Sequence, residues 1–444
     1  MVLILADPLS ERVRRDGPRR ALVDRGAGFW ATWSDLHGLA VDWSHRLAAA
    51  GVAGGHRVAV VEPAGVRFAA LMHACLRLGA ALVPVSPRSP QPELERILAD
   101  SRPRVLVRDA EVSELPDPAR GDPDDAFVLY TSGTTGPAKG VRLTAANMAA
   151  SAAGCQAALG GAEGDRWLLC LSPHHVGGLA ILYRSALAGQ PVISLDRFQP
   201  APVLEAIRAE RPALVSLVPT MLVQLLEAGG ADDLRRLKAI LVGGAPAPAG
   251  LVREWAALGL PVCPSYGLTE TASQVAVVPP GRAAELAGAS GLAHSGARIS
   301  IEAGEVVVEG PVVSPGYLNP ALAGPSGGSF RTGDAGRLDS EGVLWIEGRL
   351  DDAVITGGEN VQPEEVEAVL RAHPDVADAA VVGRPDQTWG QVLEALVVPA
   401  RPVAPEALGG WCRERLASFK VPRKITFVRS LPRSEGGKLL RREL

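Results

Sequence analysis

From Trp30 to about Cys263 the chain alternates between two rhythms, and that alternation restricts the folds open to it. Short runs rich in Val, Ile, Leu and Ala, at 57–61, 81–85, 127–130, 213–217 and 239–242, are separated by longer stretches whose apolar residues recur every three or four positions. Strands divided by helices build βαβ units, so the pattern predicts parallel sheets covered by helices. The stretch 34–50 shows the helical half: Leu36, Leu39, Trp43 and Leu47 share a face, Ser34 is placed to cap its start, and Gly51 to stop it.

Beyond about Gly288 the texture changes. The segment 297–310 alternates apolar and polar residues on either side of Ala303 and Gly304, which reads as an antiparallel hairpin in a small barrel or sheet. A further unit begins after Gly348, Arg349, Leu350, Asp351 and Asp352. It predicts helices over 363–371 and 405–418 and strands over 379–382, 394–398 and 424–428. The expected fold class is therefore α/β: a large N-terminal body of helix-covered sheets with a small β-rich subdomain, residues 1–350, and a small α+β C-terminal domain, residues 351–444. No tandem repeat or long low-complexity tail interrupts this plan, and the Gly, Pro and Ser cluster at 324–329 reads as a surface loop.

Composition narrows the function. A chain of 444 residues can bury a large core, and a net charge of −4 gives no broad attraction for nucleic acid or anionic membrane. No apolar run approaches the roughly 20 residues that span a bilayer, and the N-terminus lacks the basic start and small-residue cleavage site of a signal peptide. Five scattered cysteines (75, 155, 170, 263 and 412) form no CxxC pair, which argues against zinc or a disulfide framework and fits the cytoplasm. A small-molecule enzyme is the expectation.

Of 45 basic residues besides histidine, only five are lysines, and two of them sit in Gly-rich segments. Lys139 closes the run 130–141, YTSGTTGPAKGV, in which a β-run passes into Thr131, Ser132, Gly133, Thr134, Thr135 and Gly136. Hydroxyls and backbone N–H groups so spaced can converge on phosphate oxygens. A Walker A loop needs glycine directly before its lysine and Ser or Thr after it, whereas Lys139 lies between Ala138 and Gly140. Lys438 ends the second segment, PRSEGGK at 432–438. Taken alone, each segment also suits a polar surface turn.

Three more segments follow in order: Gly243, Gly244, Ala245 and Pro246 ahead of Tyr266, Gly267, Leu268, Thr269, Glu270 and Thr271; then Arg331, Thr332, Gly333 and Asp334; then Gly348 and Arg349 with Asp351 beyond. Singly, Glu270 fits a helix-start carboxylate, Asp334 a turn, Arg349 a solvated charge and Asp351 a linker. As an ordered set they resemble the adenylate-forming superfamily of acyl-CoA synthetases, aryl-CoA ligases, luciferases and peptide-synthetase adenylation domains, over nearly the whole chain.

The resemblance implies ATP, Mg2+ and coenzyme A. It implies that residues 131–139 hold the β- and γ-phosphates, that 243–246 and Tyr266 with Gly267 frame adenine, and that Thr269 touches the α-phosphate. Glu270 is implied as the magnesium ligand, Asp334 and Arg349 as ribose partners, and Asp351 as the hinge of a mobile C-terminal lid bearing the catalytic Lys438. Two positions depart from common family patterns: Ala138 stands where proline often precedes the lysine, and Ile355 where some plant ligases and luciferases have a second lysine.

Within the superfamily, residues 173–179 (PHHVGGL), 216–222, 266–274 and 357–367 are most similar to the o-succinylbenzoate:CoA ligases of menaquinone synthesis. Their acid carries a second carboxylate, so its pocket needs a polar or cationic group. His175 and Ser273 are the expected pocket residues, with Arg184 a candidate cation whose stem equally suits helix packing. His174 departs from the apolar or aromatic residue common in relatives, and two adjacent histidines diverge too much for a metal site. Alternatives are another aryl- or short-acyl-CoA ligase, an adenylation enzyme that loads a carrier protein, and a silent ATP-binding protein. Expected partners are a small carboxylic acid, ATP and CoA, without nucleic acid or membrane insertion, and with homodimerisation left open.

Overall fold

The computed structural model describes residues 7–131, 139–352, 354–356, 359–386, 390–416, 418–433, 437 and 439–444. Its largest sheet has thirteen strands. One half is parallel, with Val262–Leu268, Ala239–Val242, Leu214–Leu217, Trp167–Leu169, Val192–Ser194 and Arg20–Asp24 side by side. The other half is antiparallel and runs through Ser273–Val277, Gly291–Ala293, Val343–Arg349, Ser329–Leu338 and the hairpin Arg298–Glu302/Glu305–Glu309. Ala303 (φ 51°) and Gly304 (φ 82°) turn that hairpin, as their sequence predicts.

The strand Val262–Leu268 belongs to both halves. Val262, Cys263 and Pro264 pair in parallel with Ile240, Leu241 and Val242, while Ser265 to Leu268 pair antiparallel with Val277 to Ser273. The helix-covered and β-rich regions expected from the sequence are therefore one continuous sheet.

A second sheet of seven strands has Arg57–Val61, Ala81–Pro84, Val105–Arg108 and Asp125–Thr131 as its parallel centre, with Lys139–Thr144 and Gly316–Tyr317 on one flank. Helix Val66–Leu78 buries Val66, Phe68 and every residue from Ala69 to Leu76, and touches strands of both sheets. A helix apolar all round must lie in an interior. With helix Val176–Ala188, it forms the layer on which the sheets pack, around Trp33, Phe127, Trp167 and Tyr183.

A third sheet of five strands, Val354–Thr356, Glu359–Val361, Val376–Asp386, Gly390–Pro399 and Lys424–Phe427, has its own core, in which Val366 and Leu370 of helix Pro363–Arg371 meet Val381, Leu393, Ala395 and Leu408. Helix 405–418 of the sequence reading stops earlier, at Arg413. The cap of the second helix also differs from expectation. It runs Trp33–Ala49, and Thr32, not Ser34, accepts from the Asp35 backbone N–H while Asp35 accepts from Thr32 N–H. Trp33 is buried in the main core, which starts the helix one residue earlier than the apolar spacing implied. All five cysteines are unpaired and buried. Among the described residues no helix is long and apolar enough to cross a membrane.

Candidate active site

The candidate groups gather where the parallel strands of the large sheet end, the usual ligand position in open α/β sheets. Residues 243–246 follow the strand Ala239–Val242, and Gly243 N–H donates to the Leu217 carbonyl at 3.1 Å. Two glycines are required here. A Cβ on Gly243 would stand 2.6 Å from Ser265 Oγ, and Gly244 has φ +77°. Backbone is thereby left open at the mouth of the sheet.

Tyr266 emerges from the strand shared by both halves of that sheet, and its hydroxyl donates to Asp334 Oδ2 at 2.5 Å. Asp334 and Arg349 are register partners on neighbouring antiparallel strands. Arg349 Nη1 donates to Asp334 Oδ1 and to the Thr332 carbonyl, both at 2.9 Å, while Thr332 Oγ1 accepts from Asp334 N–H at 3.1 Å. Burial, reinforced by the Asp334 carboxylate, raises the Tyr266 phenol well above its ordinary pKa, so it remains a donor. Three sequence segments thus meet in one hydrogen-bonded set, with Asp334 itself buried.

Downstream, Thr269–Thr271 forms a single 3-10 turn, followed by Ala272 (φ 53°) and Ser273 (φ 104°). Non-glycine residues in this region are strained, and such strain persists only where neighbours hold it. Thr271 does so: its Oγ1 accepts from Leu268 N–H at 3.0 Å and lies 3.1 and 3.0 Å from the carbonyls of Leu268 and Ser273. Glu270 is buried, and its Oε1 accepts from the Tyr317 hydroxyl at 2.8 Å. No partner of Oε2 is found among the described residues.

Lys139 lies over the ring of the same tyrosine, with Nζ 5.2 Å from the centroid. Lys139 and Thr131 are register partners on adjacent strands. Ser132, Gly133, Thr134, Thr135 and Gly136 lie outside the described residues, as does Ala138. One carboxylate oxygen without a partner among the described residues, near an ammonium, suits Mg2+ held largely by phosphate oxygens and water, its common mode of binding. Among the described residues no cluster of three His, Cys, Asp or Glu forms a protein cage.

The histidine pair divides into two roles. His174 is buried: Nε2 lies 2.9 Å from the Glu62 carbonyl, Nδ1 lies 2.7 Å from Ser172 Oγ, and the ring meets Phe68 edge-on. A carbonyl only accepts, so Nε2 carries the proton and Nδ1 accepts from the serine. His175 is exposed at the start of helix Val176–Ala188. Gly178 allows this entry, since any Cβ there would run into the Ser172 carbonyl. Ser273 is buried, with Oγ donating to Gln274 Oε1 at 2.8 Å.

Arg184 does not join them. It lies nine residues along the helix from His175, about 13 Å at the α-helical rise, with its guanidinium 4.4 Å from the Trp167 ring centroid and Nη1 donating to Cys155 Sγ at 2.6 Å. The helix is buried around its circumference, so its periodicity marks no solvent-facing side. Arg184 is a packing arginine.

The C-terminal segment returns to the body. Gly437 sits beside Thr220, whose Oγ1 would be 3.3 Å from a Cβ at that glycine. Arg433 donates to the Gly437 carbonyl at 2.8 Å and to Asp378 at 2.5 Å. Arg441 Nη1 and Nη2 meet Glu367 and Glu364, both at 2.6 Å, and Nε meets Asp352 at 3.2 Å. Lys438 lies outside the described residues, and so do the side chains of Asp351 and Ile355; Asp351 falls in the 3-10 turn Leu350–Asp352. The sequence reading missed Tyr317 and Arg441, which act through partners remote in sequence, and gave Thr271 no role because its work lies in local backbone geometry.

The chain matches known families and structures along most of its length. The AMP-binding enzyme model matches residues 9–120 and 108–318, and the AMP-binding enzyme C-terminal domain model matches 365–438. The 2-succinylbenzoate–CoA ligase of Geobacillus kaustophilus is 39% identical over 465 residues, covering 96% of this chain and 95% of that protein. The o-succinylbenzoate CoA synthetase of Bacillus subtilis, in complex with its acyl-adenylate intermediate, superposes with a TM-score of 0.89 at 34% identity, covering 98% of this chain and 97% of that one. A double mutant of the same enzyme bound to a product analogue gives a TM-score of 0.71, also at 34% identity, with 99% and 97% coverage.

Burial shifts the His174 imidazole from its ordinary 6.5 down to about 4. Between those values the unfolded chain takes up a proton that the folded chain does not, so stability falls as pH falls through this window and is fully present above it. The difference is worth about 3 kcal/mol. In urea denaturation from pH 7 to 4, His174→Phe should lose less stability than the parent chain. Parallel pH slopes would contradict this assignment.

Proposed function

This chain belongs to the AMP-binding enzyme family, and from that membership we propose that it is an AMP-forming acid:CoA ligase that converts o-succinylbenzoate to o-succinylbenzoyl-CoA. Support for the substrate comes from its similarity, over nearly full length, to ligases named for that acid. The observation that carries the reaction class is the convergence of Tyr266, Asp334 and Arg349 beside the Glu270–Tyr317–Lys139 group at the strand ends.

The acid's carboxylate oxygen attacks the α-phosphorus of ATP, and pyrophosphate leaves. The CoA thiol, losing its proton, then attacks the acyl carbonyl and AMP departs, leaving the thioester. Asp334 accepts ribose hydroxyls and Arg349 holds that carboxylate in place. Residues 243–246 with Tyr266 and Gly267 border adenine, and Thr269 meets the α-phosphate. Residues 131–139 hold the outer phosphates, and Glu270 would hold Mg2+, which supplies positive charge against the triphosphate. Alignment and charge placement account for the rate, since no protein group need become covalently attached.

His175 and Ser273 border the acid, and Lys438 reaches the reacting carboxylate and α-phosphate. Gly437 beside Thr220 supports a C-terminal arrangement suited to adenylation, as does the higher likeness to the acyl-adenylate complex than to the product-analogue complex. The second half-reaction then uses rotation of a lid, residues 351–444, about Asp351. Unpaired cysteines suit the cytoplasm.

Purified protein with ATP, Mg2+ and CoA should release AMP fastest with o-succinylbenzoate when compared with benzoate, a hydroxycinnamate and a medium-chain fatty acid. A different preferred acid would retain the reaction and reject the substrate. Transfer only to a phosphopantetheinyl protein would replace the CoA ligase with a carrier-loading enzyme. Lys438→Ala should abolish adenylate formation while thioester formation from supplied acyl-adenylate largely survives, and equal loss of both would contradict the division of labour.

A further inference from the structure

Tyr317 holds a position that the reaction alone does not explain. It lies on the two-residue strand Gly316–Tyr317, paired with Val141 on the strand that begins at Lys139. Its hydroxyl donates to Glu270 Oε1 at 2.8 Å, and its face carries Lys139 Nζ at 5.2 Å from the centroid. The ring is buried, and any side chain at Gly324 would collide with it. Just upstream, Ser314 N–H donates to the Glu270 carbonyl at 2.8 Å while Ser314 Oγ donates to the Arg142 carbonyl at 2.6 Å. Segment 314–317 therefore joins the turn of Glu270 to the strand of Lys139 twice.

We propose that Tyr317 is the positioning residue for the metal carboxylate: its hydroxyl occupies Glu270 Oε1 and so reserves Oε2 for a divalent cation, while its ring holds Lys139 apart from Glu270. A carboxylate and an ammonium this near one aromatic side chain would otherwise pair with each other, and each would be lost to the nucleotide. The phenol satisfies one oxygen without supplying a competing charge. Residues that orient a metal ligand typically change metal affinity by about ten- to a hundredfold when removed.

The inference rests on the proposed role of Glu270, and the test separates the two. Mn2+ binding to the full-length protein with ATP is measured by electron paramagnetic resonance, and metal-free ATP binding by calorimetry, neither of which requires turnover. Tyr317→Phe, which retains the ring, should weaken Mn2+ binding about tenfold and leave metal-free ATP affinity unchanged. Tyr317→Leu should weaken both, because Lys139 loses its platform. Glu270→Gln should weaken Mn2+ binding, and adding Tyr317→Phe to it should cause no further loss.

Wild-type Mn2+ affinity in Tyr317→Phe, with loss in Glu270→Gln, would overturn the role of Tyr317 alone. Wild-type affinity in both would overturn the magnesium assignment with it. Additive losses in the double variant would show that the tyrosine acts elsewhere, and would also overturn the inference. Thermal unfolding of each variant checks folding, and the metal-free ATP affinity of Tyr317→Phe provides the same check at the site.

Discussion

The candidate site depends on one strand that changes partners along its length. Val262–Leu268 is parallel to its neighbour through Pro264 and antiparallel to the next strand from Ser265 onward. Because its first half is fixed in the buried parallel sheet, the position of Tyr266 is set by packing rather than by loop conformation. Tyr266 is then bonded to Asp334, and Asp334 to Arg349, so the antiparallel half of the sheet takes its place against the parallel half through a part-buried hydrogen-bonded set. The turn that carries Glu270 leaves the same strand with two strained residues, held by Thr271. A buried polar network of this kind is costly if any member is missing, and therefore specifies one arrangement.

The electrostatic design uses few charges, each separated from its opposite by a neutral group or held in fixed geometry. Asp334 has its guanidinium on one oxygen and a phenol on the other. Glu270 has a phenol on one oxygen, and the face of that phenol's ring carries Lys139. Tyrosine is used twice in the same manner, as a donor that orients a carboxylate without neutralising it. The C-terminal segment adds a contrasting case: Arg441 is shared among Asp352, Glu364 and Glu367, which ties the end of the chain to the turn containing Asp351.

Much of this was legible because its signals are local. Strands at 57–61 and 239–242 appear as read, and the 303–304 turn follows from two residues that tolerate positive φ. The ordered motifs singled out Tyr266, Glu270, Asp334 and Arg349, and the fold brings them near one another where the parallel strands end. What escaped depends on packing. Thr32 caps its helix because Trp33 is pulled into the core. Arg184 turned inward because its helix is buried all round, so periodicity defines no outward face. Tyr317 stands 47 residues from Glu270 in sequence, and no spacing rule joins them. His174 shows its role only through the Glu62 carbonyl, 112 residues away.

In the proposed reaction the Tyr266–Asp334–Arg349 set holds the nucleotide by its ribose hydroxyls. The direct test is calorimetric binding of ATP and of 2′,3′-dideoxy-ATP to the parent chain and to Asp334→Ala, without acid or CoA. The parent should prefer ATP by about tenfold or more, as expected when charged hydrogen bonds of roughly 1.5–3 kcal/mol are lost, and Asp334→Ala should bind both nucleotides alike, near the parent's affinity for the dideoxy form. A variant that still discriminates, or a parent that never does, would place the ribose elsewhere and contradict the account.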